Sequence, residues 1–411
     1  MCWRHTIGPG LLAVAACGSS GHQAPADAFG QDAGLALGQL MPQVVNSTPP
    51  TSGAAVLSVP RAMAITYDND PNRSDFETFL TQYAASTAWH AQAAEYGVGA
   101  LTVRSPGHVA GNAPLTLSES DVLSLLTANT SGVTPAWGAP DRETIYEFSI
   151  PQGVTFDSGG QHCCTDFDGY HSTTIVESIE VPFAILCGCS VTRLHSDLGL
   201  TPLQILTETA NHETVEAATD PYITGFVTTD DAHFAWSYEV GGEVGDMCTF
   251  VDTTNELQPT GIAYAIQRTW SNAAALAGHD PCVPDATSPY YQTVPETPDA
   301  ISLPGVGTSV ATSALKVPIG GDGIVTLHVY ADDANAGPFT VQLDDYSATS
   351  GGPQLLAFTQ PSGAFHAGDT VTVPVHVNGS DTGLGGTAEA FRVTTKPAVG
   401  PSTYFYALIG Q

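Results

Sequence analysis

The chain has 411 residues, with ten Lys and Arg against 41 Asp and Glu, for a formal net charge of −31. That balance excludes a phosphate-tracking nucleic-acid surface and a polybasic patch for acidic lipids, both of which need clustered Lys and Arg. Only 12% of residues are charged and 42% are hydrophobic, so the acidity is not that of a disordered tail.

The N-terminus carries one Arg, Arg4, then a short apolar stretch from Ile7 to Ala16, then Cys17. The stretch is too short to span a bilayer and reads as a secretory signal, residues 1–16. Val14-Ala15-Ala16-Cys17 resembles a bacterial lipobox, in which cleavage exposes a cysteine for acylation. The expectation is an exported chain, lipid-anchored through Cys17 to a bacterial membrane and facing the periplasm or the exterior. A plain secretory signal cut after an Ala-x-Ala-like site is the alternative.

Residues 17–55 are rich in Gly, Ala, Gln, Ser, Thr and Pro, and read as a flexible tether. Order is expected from about Ala55, with strands at Val56–Val59 and Ala62–Tyr67. One helix is expected over Ser74–Tyr96, capped by Ser74 and ended by Gly97. A strand follows at Val98–Val103, a helix at Ser118–Thr130, and strands at Glu143–Ile150 and Val181–Leu186. Strands interleaved with helices indicate an α/β or α+β domain over 56–285. Residues 286–300, rich in Pro, Ser and Thr, read as a linker. Six short alternating strands between Ile324 and Leu408 indicate an all-β domain over 301–411, an immunoglobulin-like sandwich.

Six cysteines follow Cys17: Cys163, Cys164, Cys187, Cys189, Cys248 and Cys282. In an exported chain they read as disulfides. The expectation joins the 163/164 pair to the 187/189 pair, and Cys248 to Cys282. A thiolate zinc site is the rival, against which the tight Cys187-Gly188-Cys189 spacing counts.

The chemistry concentrates in 201–221. Thr201-Pro202 starts a helix and Pro221 stops it, Asp220 being turned towards extended backbone. Leu203, Leu206, Ala210 and Ala217 share one face. His212 and Glu216, four apart, stack on another, and Glu213 lies between. The pattern is H-E-x-x-E. In H-E-x-x-H enzymes two such side chains hold zinc and the intervening Glu is the general base. A carboxylate is an acceptable zinc ligand, so Glu216 can stand for the second His. The bland alternative is a solvated helix face. A third ligand would come from Glu243 or Asp246, on a Gly-rich loop pinned by Cys248, or from His171, which alternatively polarises a substrate. The oxygen-rich run Tyr67–Asp75 reads as a capped turn rather than a calcium loop.

His212-Glu-Thr-Val-Glu-Ala-Ala-Thr-Asp-Pro221, then Ala235-Trp236, then Glu243-Val-Gly-Asp-Met-Cys248 resemble the EXORDIUM (phosphate-induced protein) family and its bacterial secreted relatives. There the text runs H-E-x-x-E-x-x-T-[ND]-P, A-W, E-I-G-D-L-C. Gly169-Tyr-His171 resembles the C-G-[YF]-H segment of that family, although Gly169 is not preceded by its Cys. The resemblance covers about residues 56–285 and leaves out the C-terminal domain. It implies an exported, cell-surface protein and no established reaction.

Two functions follow as expectations. In the first, zinc (Zn2+) is held by His212, Glu216 and an acidic or His third ligand, and Glu213 deprotonates a metal-activated water that attacks a peptide. In the second, the chain is a non-catalytic surface module, and the same residues form a structural metal site or a hydrogen-bond network while the sandwich binds a cell-wall polymer or another protein.

Overall fold

The computed structural model describes residues 35–47, 56–190, 199–249, 255–256, 259–304 and 309–411. The signal segment and Cys17 lie outside the described residues.

Arg61–Tyr67 (β1) is buried at every position but its first. A strand apolar on both sides needs cover on both faces. It runs in a mixed sheet, parallel to Thr102–Val103 (β2), Gly107–Val109 (β3) and Thr144–Ile150 (β4). The hairpin Gly169–Val176 (β5) and Ile179–Cys187 (β6) completes the sheet, with β6 parallel to β4 and β5 antiparallel at the edge. Glu177 and Ser178 join them with φ of +48° and +70°. Two left-handed residues give a turn whose twist matches the strands.

Alternate residues of β1 enter two different cores. Ala62 and Ala64 meet Phe76 and Phe79 of Arg73–Ala85 (α1) and Ala88 and Ala93 of Thr87–Ala93 (α2). Met63, Ile65 and Tyr67 meet Val122 and Leu126 of Glu119–Thr130 (α3). The long helix Pro202–Thr219 (α4) lies on the first side, against β4, β5 and β6.

The β-rich C-terminal part has two sheets. Tyr291–Pro295 (β7), Asp299–Pro304 (β8), Ser309–Lys316 (β9), Asp322–Ala331 (β10), Phe339–Asp345 (β11), Leu356–Phe358 (β12), Thr370–Val377 (β13), Ala388–Pro397 (β14) and Thr403–Gly410 (β15) are its strands. They run in the orders β7-β10-β13-β12 and β8-β9-β15-β14-β11. Tyr291 meets Phe339 at a 4.7 Å ring separation and Phe358 meets Phe391 at 5.6 Å, so the sheets share one apolar layer. That layer is continuous with the α/β core. Trp236 of Phe234–Val240 (α5) packs on Phe405 and Tyr406, and Tyr238 donates to Asp381 at 2.7 Å.

Several expectations need correction. Within the expected tether, residues 35–47 are packed instead: Leu37, Leu40, Met41 and Val44 are buried, and Val44–Asn46 pairs with Phe226–Thr229. The Asn272 side chain holds Val44 through its N–H and its C=O, both at 2.8 Å. Val56–Val59 forms bends rather than a strand. The expected single helix breaks at Ser86, which is extended and accepts from Trp89 N to cap α2, and Asn72 rather than Ser74 precedes α1. The linker at 286–300 holds β7 and the first residues of β8 instead. Its Pro content hid a strand buried at all five positions, because Tyr291–Pro295 lies between the other sheet and the α/β core.

The disulfides are Cys163–Cys187, Cys164–Cys189 and Cys248–Cys282, which removes the thiolate-zinc alternative. The oxygens of the 68–70 turn are taken by Gly111, Ala113, Asn72 and Ser149, as a capped turn requires. No helix among the described residues is long and apolar enough to cross a membrane.

Candidate metal centre

The start of α4 is set locally. Thr201 Oγ1 accepts from Gln204 N, Gln204 Oε1 accepts from Thr201 N, and Pro202 occupies the first turn. Away from its start the helix is buried around nearly its whole circumference, polar positions included. The solvated-face alternative is therefore wrong: Glu213 is 4% exposed and Glu216 3%. Buried polar groups need partners. Asn211 supplies one set, clamping the backbone of Gln267 through its N–H at 2.6 Å and its C=O at 3.2 Å.

Three segments bring ligand-type side chains to this helix. The first, β5, carries His171 on the sheet edge beside it. The second is the turn Glu243–Cys248, tied down by Cys248–Cys282 and by Trp270 N bonding Val244 O at 2.9 Å. The third is the helix end, where Asp220 follows Thr219 as the cap.

His212 Nε2 lies 3.1 Å from Glu216 Oε2 and 3.7 Å from Asp246 Oδ1. Asp246 N donates to Glu216 Oε1 at 3.1 Å and so aims the other oxygen at His212. On the far side of Glu216, His171 Nδ1 lies 3.6 Å from Glu216 Oε2 and 3.5 Å from Glu213 Oε2. His171 Nε2 faces Asp220 Oδ2 at 3.8 Å. Three overlapping groups hold ligand atoms within 4.8 Å of one another: His212 with Glu216 and Asp246, His171 with Glu213 and Glu216, and His171 with Asp220 and Glu243. The structure thus brings together the six expected metal-site residues, His171, His212, Glu213, Glu216, Glu243 and Asp246. His212, Glu216 and Asp246 form one group, in which His212 and Asp246 are partly exposed, and Glu243, also partly exposed, goes with His171 and Asp220 instead. Glu213 faces an imidazole rather than an Arg.

Two backbone positions make the packing work. A Cβ on Gly245 would stand 2.7 Å from Glu216 Oε1 and 2.8 Å from His212 Nδ1. One on Gly169 would stand 2.5 Å from the Thr209 methyl and 3.1 Å from Glu213 Oε1.

Five carboxyl groups and two imidazoles share this space. Among the described residues no Lys or Arg forms an ion pair with any of the five. Burial works against charge on His171, yet the facing carboxylates of Asp220, Glu213 and Glu216 hold its pKa well above the ordinary value. Burial also opposes charge on His212, and Glu216 overrides it. Burial raises Glu213, Glu243 and Asp246. Burial would raise Glu216 too, but the two imidazoles pull it below the usual carboxylate range. These shifts describe negative charge in excess, a setting that a cation relieves.

Sequence reasoning missed Asp220 and Gln267. Asp220 was read only as the residue before the terminating proline. Yet His212, Glu216 and Asp220 stand at i, i+4 and i+8, and that continued spacing is the signal for one shared face. Gln267 has no local signal, because it reaches the site from another strand.

A hollow of about 610 Å³ lies elsewhere, lined in part by Glu77, Thr81, Leu101 and Arg104. No known family model matches the chain, and no curated protein does. A β-glucosidase from Listeria innocua, solved in complex with glucose, aligns at 11% identity over 90% of this chain and 48% of that one. Its TM-score of 0.16 is too low to carry an argument.

Proposed function

We propose that the chain is an exported, lipid-anchored, EXORDIUM-like protein whose α4 cluster holds zinc and hydrolyses a peptide bond. The observation that supports it is the convergence of His212 Nε2, Glu216 and Asp246 at one partly exposed edge of a strongly anionic, buried cluster.

The residues fit a tetrahedral site with one imidazole and two carboxylates. Gln267 holds Nδ1 of His212 and so leaves Nε2 as the ligand atom. A zinc ion there would polarise a carbonyl and acidify water. Glu213, its carboxyl raised by burial, is suited to take a proton and return it to the leaving amine. His171 keeps the Glu213 carboxylate in place from the sheet edge. In this reading the C-terminal sheets form an immunoglobulin-like module that presents the catalytic part at the cell surface.

The competing reading is a non-catalytic surface module with a structural metal, its sandwich binding a wall polymer. The deep burial of Glu213 favours it, since a general base must reach its water.

Plasma mass spectrometry of the oxidised protein decides the metal, and a peptide-library screen decides the chemistry. The expected result is bound zinc that is reduced in both His212→Ala and Glu216→Ala, with cleavage that Glu213→Gln abolishes while zinc stays. Bound zinc with no cleavage leaves the structural reading. No zinc in the folded wild type sinks both metal readings.

A further inference from the structure

His171 Nε2 and Asp220 Oδ2 are both buried, and neither has a hydrogen-bond partner. Their side chains are 4% and 0% exposed, and they face each other at 3.8 Å, beyond hydrogen-bonding distance. A buried polar atom left without a hydrogen bond costs stability. Two such atoms, an imidazole nitrogen and a carboxylate oxygen, have been aimed at one spot.

The aim is built in. Asp220 Oδ1 accepts from Thr224 N at 2.6 Å and Gly225 N at 2.5 Å, which fixes the carboxylate plane and turns Oδ2 inward. His171 presents Nδ1 to Glu213 and Glu216, so its Nε2 points the other way. Glu243 supplies a third ligand atom within 4.8 Å of both. Atoms each about 2.1 Å from one cation stand about 3.0–3.4 Å apart, so the His171–Asp220 gap closes with a shift of a few tenths of an ångström.

We infer that a second divalent cation binds between His171 Nε2, Asp220 Oδ2 and Glu243, inside the site proposed at His212. It is separate from that site. The imidazole of His171 stands between them, its Nδ1 towards Glu216 and its Nε2 towards the inner ion. Its ligands come from the edge strand β5, the cap of α4 and the turn before Cys248. The inner ion is a structural rivet joining those three segments, and it fixes the imidazole that positions Glu213. The chemistry suits zinc or manganese, with one nitrogen and two carboxylate ligands.

The inference shares the cluster with the proposed function but not its ligands, so the two fail separately. The full-length protein, stripped with chelator, is titrated with Zn2+ or Mn2+ alone and followed by calorimetry and metal analysis. Wild type should take two ions per chain. Glu243→Gln and Asp220→Asn should each lose one and keep the other, and His212→Ala should lose the outer ion only. Metal should still raise the melting temperature of His212→Ala, and should not do so in a His212→Ala/Glu243→Gln double variant. One ion per chain, lost in His212→Ala and kept in Glu243→Gln and Asp220→Asn, overturns the inference. One ion per chain lost in Glu243→Gln but kept in His212→Ala upholds it and overturns the outer site.

Discussion

Gln267 Oε1 lies 3.1 Å from His212 Nδ1, and the same side chain donates from Nε2 to the carbonyl of Gly245 at 2.8 Å. A carbonyl oxygen only accepts, so the Gly245 bond fixes which end of the amide faces His212. His212 must then carry its proton on Nδ1 when neutral. The partner of a ligating imidazole sets its tautomer and its basicity.

Gln267→Leu keeps the strand, whose backbone is held by Asn211, and removes this partner together with the side chain's bond to the Gly245 carbonyl. Metal affinity at the His212 site should fall about 10- to 100-fold. Chelator competition reads it, and an unchanged affinity would show that Gln267 is a bystander.

Gly245 has φ −73°, which any residue adopts, so its glycine is there for space alone. In Gly245→Ala the new methyl meets Glu216 Oε1 and His212 Nδ1, both on a buried helix. Overpacking of this kind costs about 1–3 kcal/mol. Urea unfolding should show that loss together with weakened metal binding; a variant that binds metal as wild type does contradicts the close fit.

Outside the ligand groups, burial pushes Glu147, which also feels the Glu213 charge, up to about 8 and Glu208 to about 9. The folded state therefore keeps protons that the unfolded chain releases above about 4.5. The stability linked to these groups is complete below that pH and is lost as pH rises towards 8 and 9. Each group contributes a slope of at most about 1.4 kcal/mol per pH unit. Melting temperatures should fall between pH 5 and 9, and Glu147→Gln should flatten the fall. An equal slope in the variant would assign the effect elsewhere.

Cys248–Cys282 closes a loop of 34 residues and holds the turn that carries Glu243 and Asp246. Replacing both cysteines by Ala should cost about 3–4 kcal/mol of stability. Metal affinity should drop in the same variant. Denaturant melts and calorimetry on that variant test both; stability lost with affinity intact would mean that the turn is held by packing alone.

Local chemistry made part of this molecule readable. Thr201, Pro202 and Pro221 mark α4 within two residues of its ends because caps and prolines act on the backbone directly. Ser118 and Asp121 mark α3 in the same way. Reading failed where the deciding partner was distant. Residues 35–47 show no periodicity, and Asn272 holds them from the other end of the α/β part. At about 100° per residue Trp89 falls about 120° from Tyr83, off the apolar stripe of Phe76, Phe79, Leu80 and Tyr83, so the break at Ser86 did leave a trace that a single-helix reading passes over. The motif pointed to His212, Glu213 and Glu216, whereas Asp220 looked like punctuation.

The aromatic seam of Trp236, Phe405 and Tyr406 has a consequence for how the molecule comes apart. The rings touch directly there, so neither part can melt without stripping the other of an apolar face. A calorimetric scan should give one transition whose van't Hoff and calorimetric enthalpies agree. A version cut before β7 should be sticky and poorly soluble rather than a smaller working protein.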